Sequence, residues 1–194
     1  MLLCVTGAFP QLPAEVSFSF NEEGKFFTTD NKNYTVIQKP GMKAAELYDK
    51  FMYYIKVCNF ENDENIYGKK YNVKYLENEK ISVVTVLVNA YDENVMGINF
   101  DKHLTCKFMF QFRDGKIRID APIIKNIITD HPIKKGSEAS ISKSSFREVI
   151  RPFYKDGEVK ESKERLYKGI NNAVNNELNR IITKSFEPKV QEKW

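Results

Sequence analysis

A chain of 194 residues and 22.6 kDa can bury about 70% of its unfolded surface in a core that needs no disulfide or metal staples. With 42% hydrophobic and 29% charged residues it has globular composition, and its longest apolar runs, such as Val83–Val88, are too short to span a bilayer. The net charge of +4 is uneven: residues 1–97 carry −3 and residues 98–194 carry +7. Only 6 of the 30 basic residues are Arg, the side chain whose fork suits phosphate, so this charge reads first as a solubilising lysine surface. The length predicts one domain over residues 15–186, preceded by 1–14 and followed by a tail, 187–194.

Met1–Ala14 is short, apolar and rich in small residues, like the rear half of a secretory leader cleaved after Ala14. It lacks a basic first segment, and the competing reading is an extended arm that packs on the domain. Glu15–Phe20 alternates, with Val16, Phe18 and Phe20 on one side. Asn21–Gly24 reads as a turn and Lys25–Thr29 as the strand that pairs back. Tyr34–Lys39 is a further strand, closed by Pro40-Gly41.

Lys43–Val57 is the first long helix: Ala44, Leu47, Tyr48, Phe51, Met52 and Ile55 recur at helical spacing, so one face packs on a sheet. Asn59–Asn65 is a polar loop. Tyr71, Val73 and Tyr75 alternate as in a half-buried strand, and Asn78-Glu79 supplies a turn. Ile81–Asn89 is β-branched on both faces, as a central strand would be. Asp92–Asn99 reads as a loop.

Leu104–Ala121 is the clearest feature. Leu104, Cys106, Phe108, Phe110 and Phe112 share one face; Thr105, Lys107, Met109 and Gln111 share the other. Asp114-Gly115 fits a type I′ turn, in which both central residues have positive φ. A two-residue loop pairs Arg113 with Lys116, Phe112 with Ile117, Phe110 with Ile119 and Phe108 with Ala121. Apolar meets apolar at each step, so turn and pattern agree on one register. Phe108, Phe110, Phe112, Ile117 and Ile119 are then the predicted core.

Lys125–Ser142 reads as irregular, with Pro132 and Gly136 inside it. Ser145 and Glu148 form a capping box ahead of a short helix, Phe146–Arg151, which Pro152 helps end. Asp156-Gly157 is another turn. Lys163–Phe186 is the second long helix, with Leu166, Ile170, Ala173, Val174, Leu178, Ile181 and Ile182 as its apolar stripe. Asn171, Asn172, Asn175, Asn176 and Asn179 lie away from that stripe and lower helix propensity, so packing must hold the helix. An asparagine face of this kind is read as solvated.

Three local patterns resemble a family of uncharacterised bacterial envelope proteins, a domain of unknown function with a fold like half of the TATA-binding protein. They are Pro40-Gly41 followed by Glu46–Asp49, Ile66–Lys69 before a strand, and Phe108–Arg118. The likeness spans roughly residues 20–125. Tyr53-Tyr54 stand where the family often has Trp, and Lys70 where it often has a second Gly. The resemblance implies an α+β fold: a curved antiparallel sheet of about five strands with both long helices on one face, in the order β-α-β-β-β-β-α. It also implies export to the periplasm or outer envelope, and no assigned activity.

No nucleotide-binding glycine loop, nucleophile elbow or HExxH motif occurs. Cys4, Cys58 and Cys106 lack CxxC spacing, and His103 and His131 complete no metal-ligand pattern. Asp63 and Glu64 lack the ligand spacing of a calcium loop, and Asp130-His131 is a pair without a nucleophile. No cofactor and no enzymatic role are expected. The reading is a non-catalytic ligand- or protein-binding domain of the cell envelope. Its candidate contact surface is the sheet face away from the helices: Met109 as apolar centre, with Lys107, Gln111, Lys116 and Arg118 around it and Asp120 opposite. The competing readings of that face are an ordinary solvated surface, or one covered by residues 126–160 or the N-terminal arm. The alternative is a nucleic-acid-binding domain using that same basic face. Against it, the hairpin aromatics lie on the core side, where they cannot stack on bases.

Overall fold

The computed structural model describes residues 15–60, 72–76, 80–95, 98–130 and 141–187. The leader-like segment 1–14, the Ile66–Lys69 pattern, Asp63 and Glu64, Tyr71, the Asn78-Glu79 turn, His131, Pro132, Gly136 and the tail beyond Glu187 lie outside the described residues. The strands are β1 (Ser19–Phe20), β2 (Phe26–Phe27), β3 (Tyr34–Gln38), β4 (Asn72–Leu76), β5 (Lys80–Val95), β6 (Ile98–Arg113), β7 (Lys116–Asp130), β8 (Ile141–Ser144), β9 (Tyr154–Lys155) and β10 (Glu158–Val159). The helices are α1 (Ala44–Phe60), α2 (Phe146–Ile150) and α3 (Glu164–Phe186).

Five strands form the main antiparallel sheet in the order β3-β7-β6-β5-β4, and β8 pairs with the far half of β7. Two readings are corrected here. The residues assigned to a loop over Asp92–Asn99 extend β5 to Val95 and begin β6 at Ile98. The stretch read as irregular from Lys125 carries β7 on to Asp130, and Ile141–Ser144 pairs with it. Polar side chains such as Asp92 and Asn126 do not end these strands, because long neighbours supply the ladder.

The hairpin pairs Arg113 with Lys116, Phe112 with Ile117, Phe110 with Ile119 and Met109 with Asp120, as the turn and the alternation require. The register then breaks. Lys107 pairs with Ile123, so Ala121 and Pro122 together oppose Phe108, and the expected Phe108–Ala121 pair does not form. Pro122 has no amide to give a ladder, and a bulge is where a strand tolerates it. A second extra residue, Lys125, separates the Cys106–Ile124 pair from Thr105–Asn126. The two bulges bring Ile117, Ile119, Ile124 and Ile127 onto one buried face despite their uneven spacing.

That face carries both long helices. Phe108, Phe110, Phe112, Ile117 and Ile119 are all buried. The α1 residue Phe51 packs its ring 5.0 Å from Phe110 and 5.1 Å from Phe112, and 5.9 Å from Phe186 of α3. Removing a buried aromatic ring from such a cluster costs about 3–5 kcal/mol. Among the described residues no helix is long and apolar enough to cross a membrane.

The Asp114-Gly115 turn is not type I′. Gly115 has φ +73°, but Asp114 is not among the positive-φ residues; Asp156-Gly157 is the turn with both, at +53° and +82°. The difference lies in what holds the first turn. The Asp114 carboxylate accepts hydrogen bonds from the Ala44 amide and from Lys43 Nζ, both 3.0 Å, and so caps the start of α1 from the β6–β7 turn. Gly115 donates to the Met42 carbonyl (2.8 Å) and accepts from the Lys39 amide (2.7 Å). The loop is thus clamped to the β3–α1 connection, which sets its conformation. At α2, Ser145 accepts from the Glu148 amide at 3.3 Å, as the capping reading expects.

The asparagine face of α3 is also corrected: three of its five members are occupied. Asn171 accepts a hydrogen bond from the Phe20 amide, Asn175 from Phe18 and Asn179 from Val16, at 3.2, 3.0 and 2.9 Å. Asn175 and Asn179 also donate to the carbonyls of Phe18 and Val16, at 2.9 and 2.8 Å. Four helix residues rise about 6.0 Å and two strand residues about 6.6 Å, so asparagines at i, i+4 and i+8 match alternate residues of an extended chain. The ladder satisfies backbone groups that have no strand partner, while Val16, Phe18 and Phe20 enter the core. Asn172 and Asn176 are exposed.

Candidate functional site

The sheet face away from the helices is built in rows across β5, β6, β7 and β3. One row is Ser82, Met109, Asp120 and Tyr34; the next is Lys80, Gln111, Arg118 and Val36. A third holds Val84, Lys107 and Ile123. The structure therefore gathers Lys107, Met109, Gln111 and Arg118 on one face, as the alternation predicts, with Lys116 exposed at its margin.

Their state differs from a free charged rim. Arg118 Nε donates to Asp120 Oδ1 at 2.7 Å, and Gln111 Nε2 donates to Asp120 Oδ2 at 3.1 Å. The Arg118 guanidinium also lies 4.2 Å from the centroid of the Tyr34 ring, in cation–π contact. Asp120 thus gathers Gln111 and Arg118, and Arg118 in turn covers the aromatic ring on this part of the face. Met109 is half-buried beside them, and it is not a lone apolar residue: Val84 and Val86 are half-buried on the same face, and Ile123 and Val36 are 50% and 39% exposed.

The flank of this face holds a feature that the sequence reading missed. A groove of about 1040 Å³ runs along β3, at the upper end of the ~300–1,000 Å³ usual for ligand pockets. Ile37, Met42 and Phe186 give it apolar surface, and Glu15–Ser17, held in place by the asparagine ladder, line it as well. Lys39 also lines it, with Nζ 4.0 Å above the Phe186 ring and no carboxylate partner among the described residues. Burial pulls this ammonium below the ordinary lysine range.

β3 is an edge strand. Its hydrogen-bonded pairs with β7 fall at odd positions, because Lys39 donates to Gly115 and Asn33 accepts from Ala121 at 2.8 Å. In an antiparallel ladder alternate residues address opposite sides, so the amides and carbonyls of Tyr34, Val36 and Gln38 point away from the sheet. None of them has a backbone partner among the described residues. A strand such as Tyr34–Lys39 can be read from local pattern, but its position at an edge depends on which distant strand pairs with it.

Among the described residues, Cys106 is held away from solvent. It is fully buried on the core face, and burial pushes its thiol well above the usual range. No group of three or more metal-ligating side chains converges among the described residues.

The sequence matches no protein-family model and no curated protein. Two solved structures are similar in shape. One is a TBP-like protein from Parabacteroides distasonis, with a TM-score of 0.52 and 12% identity over 80% of this chain and 92% of the other. The second is a DUF4468 family protein from Bacteroides ovatus, with a TM-score of 0.51 and 12% identity over 81% of this chain and 87% of the other. The fold is TBP-like. This is the α+β architecture that the resemblance of the three local patterns implies, and at 12% identity the likeness carries fold and no activity.

Proposed function

We propose that this TBP-like domain is a non-catalytic binding domain, exported to the bacterial cell envelope, that holds a protein or small ligand at the β3 flank of its sheet. One observation carries the reading: at the β3 groove apolar side chains meet outward backbone amides and carbonyls with no described backbone partner, the half-buried lysines Lys39 and Lys50, and the carboxylates of Glu15, Asp30 and Glu46. These are recognition groups, suited to shape, hydrogen-bond and charge matching. The leader-like composition of residues 1–14 supports the export part. Nucleic acid binding on the basic open face is the competing function. It is disfavoured because Arg118 covers Tyr34, the described aromatic ring on that face available for base stacking.

The test places a photo-crosslinking amino acid at Val36, with exposed Glu161, outside the groove, as the control position. A discrete adduct from position 36 in the envelope fraction, and none from position 161, is the expected result. Equal labelling from both positions, or a chain confined to the cytoplasm, overturns the reading. A short single-stranded DNA should bind only weakly and be released at physiological salt. Tight binding under those conditions would move the function to the open face.

A further inference from the structure

We propose that the β3 groove accepts an extended polypeptide segment of a partner protein, which adds to the sheet along Tyr34–Gln38 and places a carboxylate beside Lys39. The inference rests on the binding reading above and names the class of ligand. Three independent features define the occupant. The outward amides and carbonyls of Tyr34, Val36 and Gln38 repeat every second residue, a spacing that another extended chain matches and a compact ligand does not. Exposed edges of this kind pair readily with an added strand unless a charge, proline or bulge blocks them. Here Tyr34–Gln38 contains no charged residue and no proline, and the bulges lie in β7.

The second feature is the groove beside that edge. Ile37, Met42 and Phe186 lend it apolar surface for alternate side chains of the incoming segment. Ser17 stands on its other wall. The asparagine ladder takes up the amides of Val16, Phe18 and Phe20, and Ser19 pairs with Phe27, so Ser17 presents its own amide and carbonyl away from α3. The third feature is charge. Glu15, Asp30, Glu46 and Lys50 also line the groove. Lys39 is the cation at the end of the strand itself, half-buried over an aromatic ring with no described carboxylate partner, and an anionic group is its complement.

The experiment uses the full chain and a synthetic hexapeptide of alternating Val and Thr, acetylated and amidated, with Asp at one end or the other. Peptides ending in Asn serve as controls. Binding is followed by NMR shifts and by amide exchange at Tyr34, Val36 and Gln38. The Asp peptide should bind and slow exchange at those three amides. Val36→Pro removes an outward amide and leaves the β3–β7 ladder its donors, since an edge strand tolerates proline where the N–H faces solvent. It should abolish binding. Lys39→Gln should weaken the Asp peptide about tenfold, as for loss of one hydrogen bond to a charged group, and leave the Asn peptide unchanged. Together the two variants keep the test open if either one folds poorly.

Peptide binding that survives Val36→Pro, or that is the same for Asp and Asn ends, overturns the proposal. So does a Val36 amide already protected in the free full chain, because the chain would then cover its own edge. If the strand mode fails while crosslinking at position 36 persists, the binding function stands and only this class of ligand falls.

Discussion

Replacing Asn175 by Ala should destabilise the domain, whereas the same change one residue on, at Asn176, should stabilise it. Asn175 accepts from the Phe18 amide and donates to the Phe18 carbonyl, at 3.0 and 2.9 Å. Each bond contributes about 1 kcal/mol net, so the truncation removes about 2 kcal/mol. Alanine returns about 0.6 kcal/mol of helix propensity. The balance is a loss of about 1.4 kcal/mol, and more where water does not reach the orphaned groups of Phe18. For a chain of this length that lowers Tm by about 3–6 °C. Asn176 is exposed, so its alanine variant keeps only the propensity gain and should raise Tm by about 1–2 °C. Thermal unfolding followed by circular dichroism measures both. Two variants that shift in the same direction by the same amount would refute the ladder, because propensity treats the neighbours alike and only the bonds to Phe18 separate them. The double variant Asn175→Ala/Asn179→Ala should also speed amide exchange at Val16 and Phe18, with α3 still protected.

Phe110→Ala should cost about 3–5 kcal/mol in urea denaturation, and a loss below about 1 kcal/mol would contradict its place between Phe51 and Ile119. Gly115→Val should cost about 1–2 kcal/mol, because a β-branched residue is strained at φ +73° even though a Cβ there would meet only the Lys39 carbonyl, at 4.0 Å; a neutral result would mean the turn relaxes. Asp114→Ala should lower the urea midpoint at neutral pH. The Ala44 amide, and then Lys43, hold the Asp114 carboxyl below its ordinary value of 3.8. A depressed carboxylate contributes stability above its unfolded pKa and loses it as pH falls through the folded one. The gap between wild type and Asp114→Ala should therefore shrink as pH falls below 3.8, and a gap that is constant with pH would place the cap's effect elsewhere.

Local pattern was sufficient wherever one period and one turn agreed. The alternation of Leu104–Phe112 with Asp114-Gly115 determined the hairpin register as far as Met109–Asp120, and the helical spacing of Leu47, Phe51 and Ile55 determined which side of α1 is buried. Pro122 was the visible signal for the bulge that ends that register, since a strand interior cannot use a residue without an amide. The asparagines at 171, 175 and 179 share a four-residue spacing, yet their role was not legible, because their partners lie more than 150 residues away at Val16–Phe20. The candidate site divides the same way. Sequence alternation placed Lys107, Met109, Gln111 and Arg118 on one face, because a strand's side chains have period two whatever the strand pairs with. That Asp120 gathers Gln111 and Arg118, and that Arg118 covers Tyr34, follows from β3 lying beside β7. The position of β3 at an edge of the described sheet and the placement of Lys39 over Phe186 likewise exist only once residues 34–39 meet the end of α3, since strand order and edge position are properties of long-range pairing.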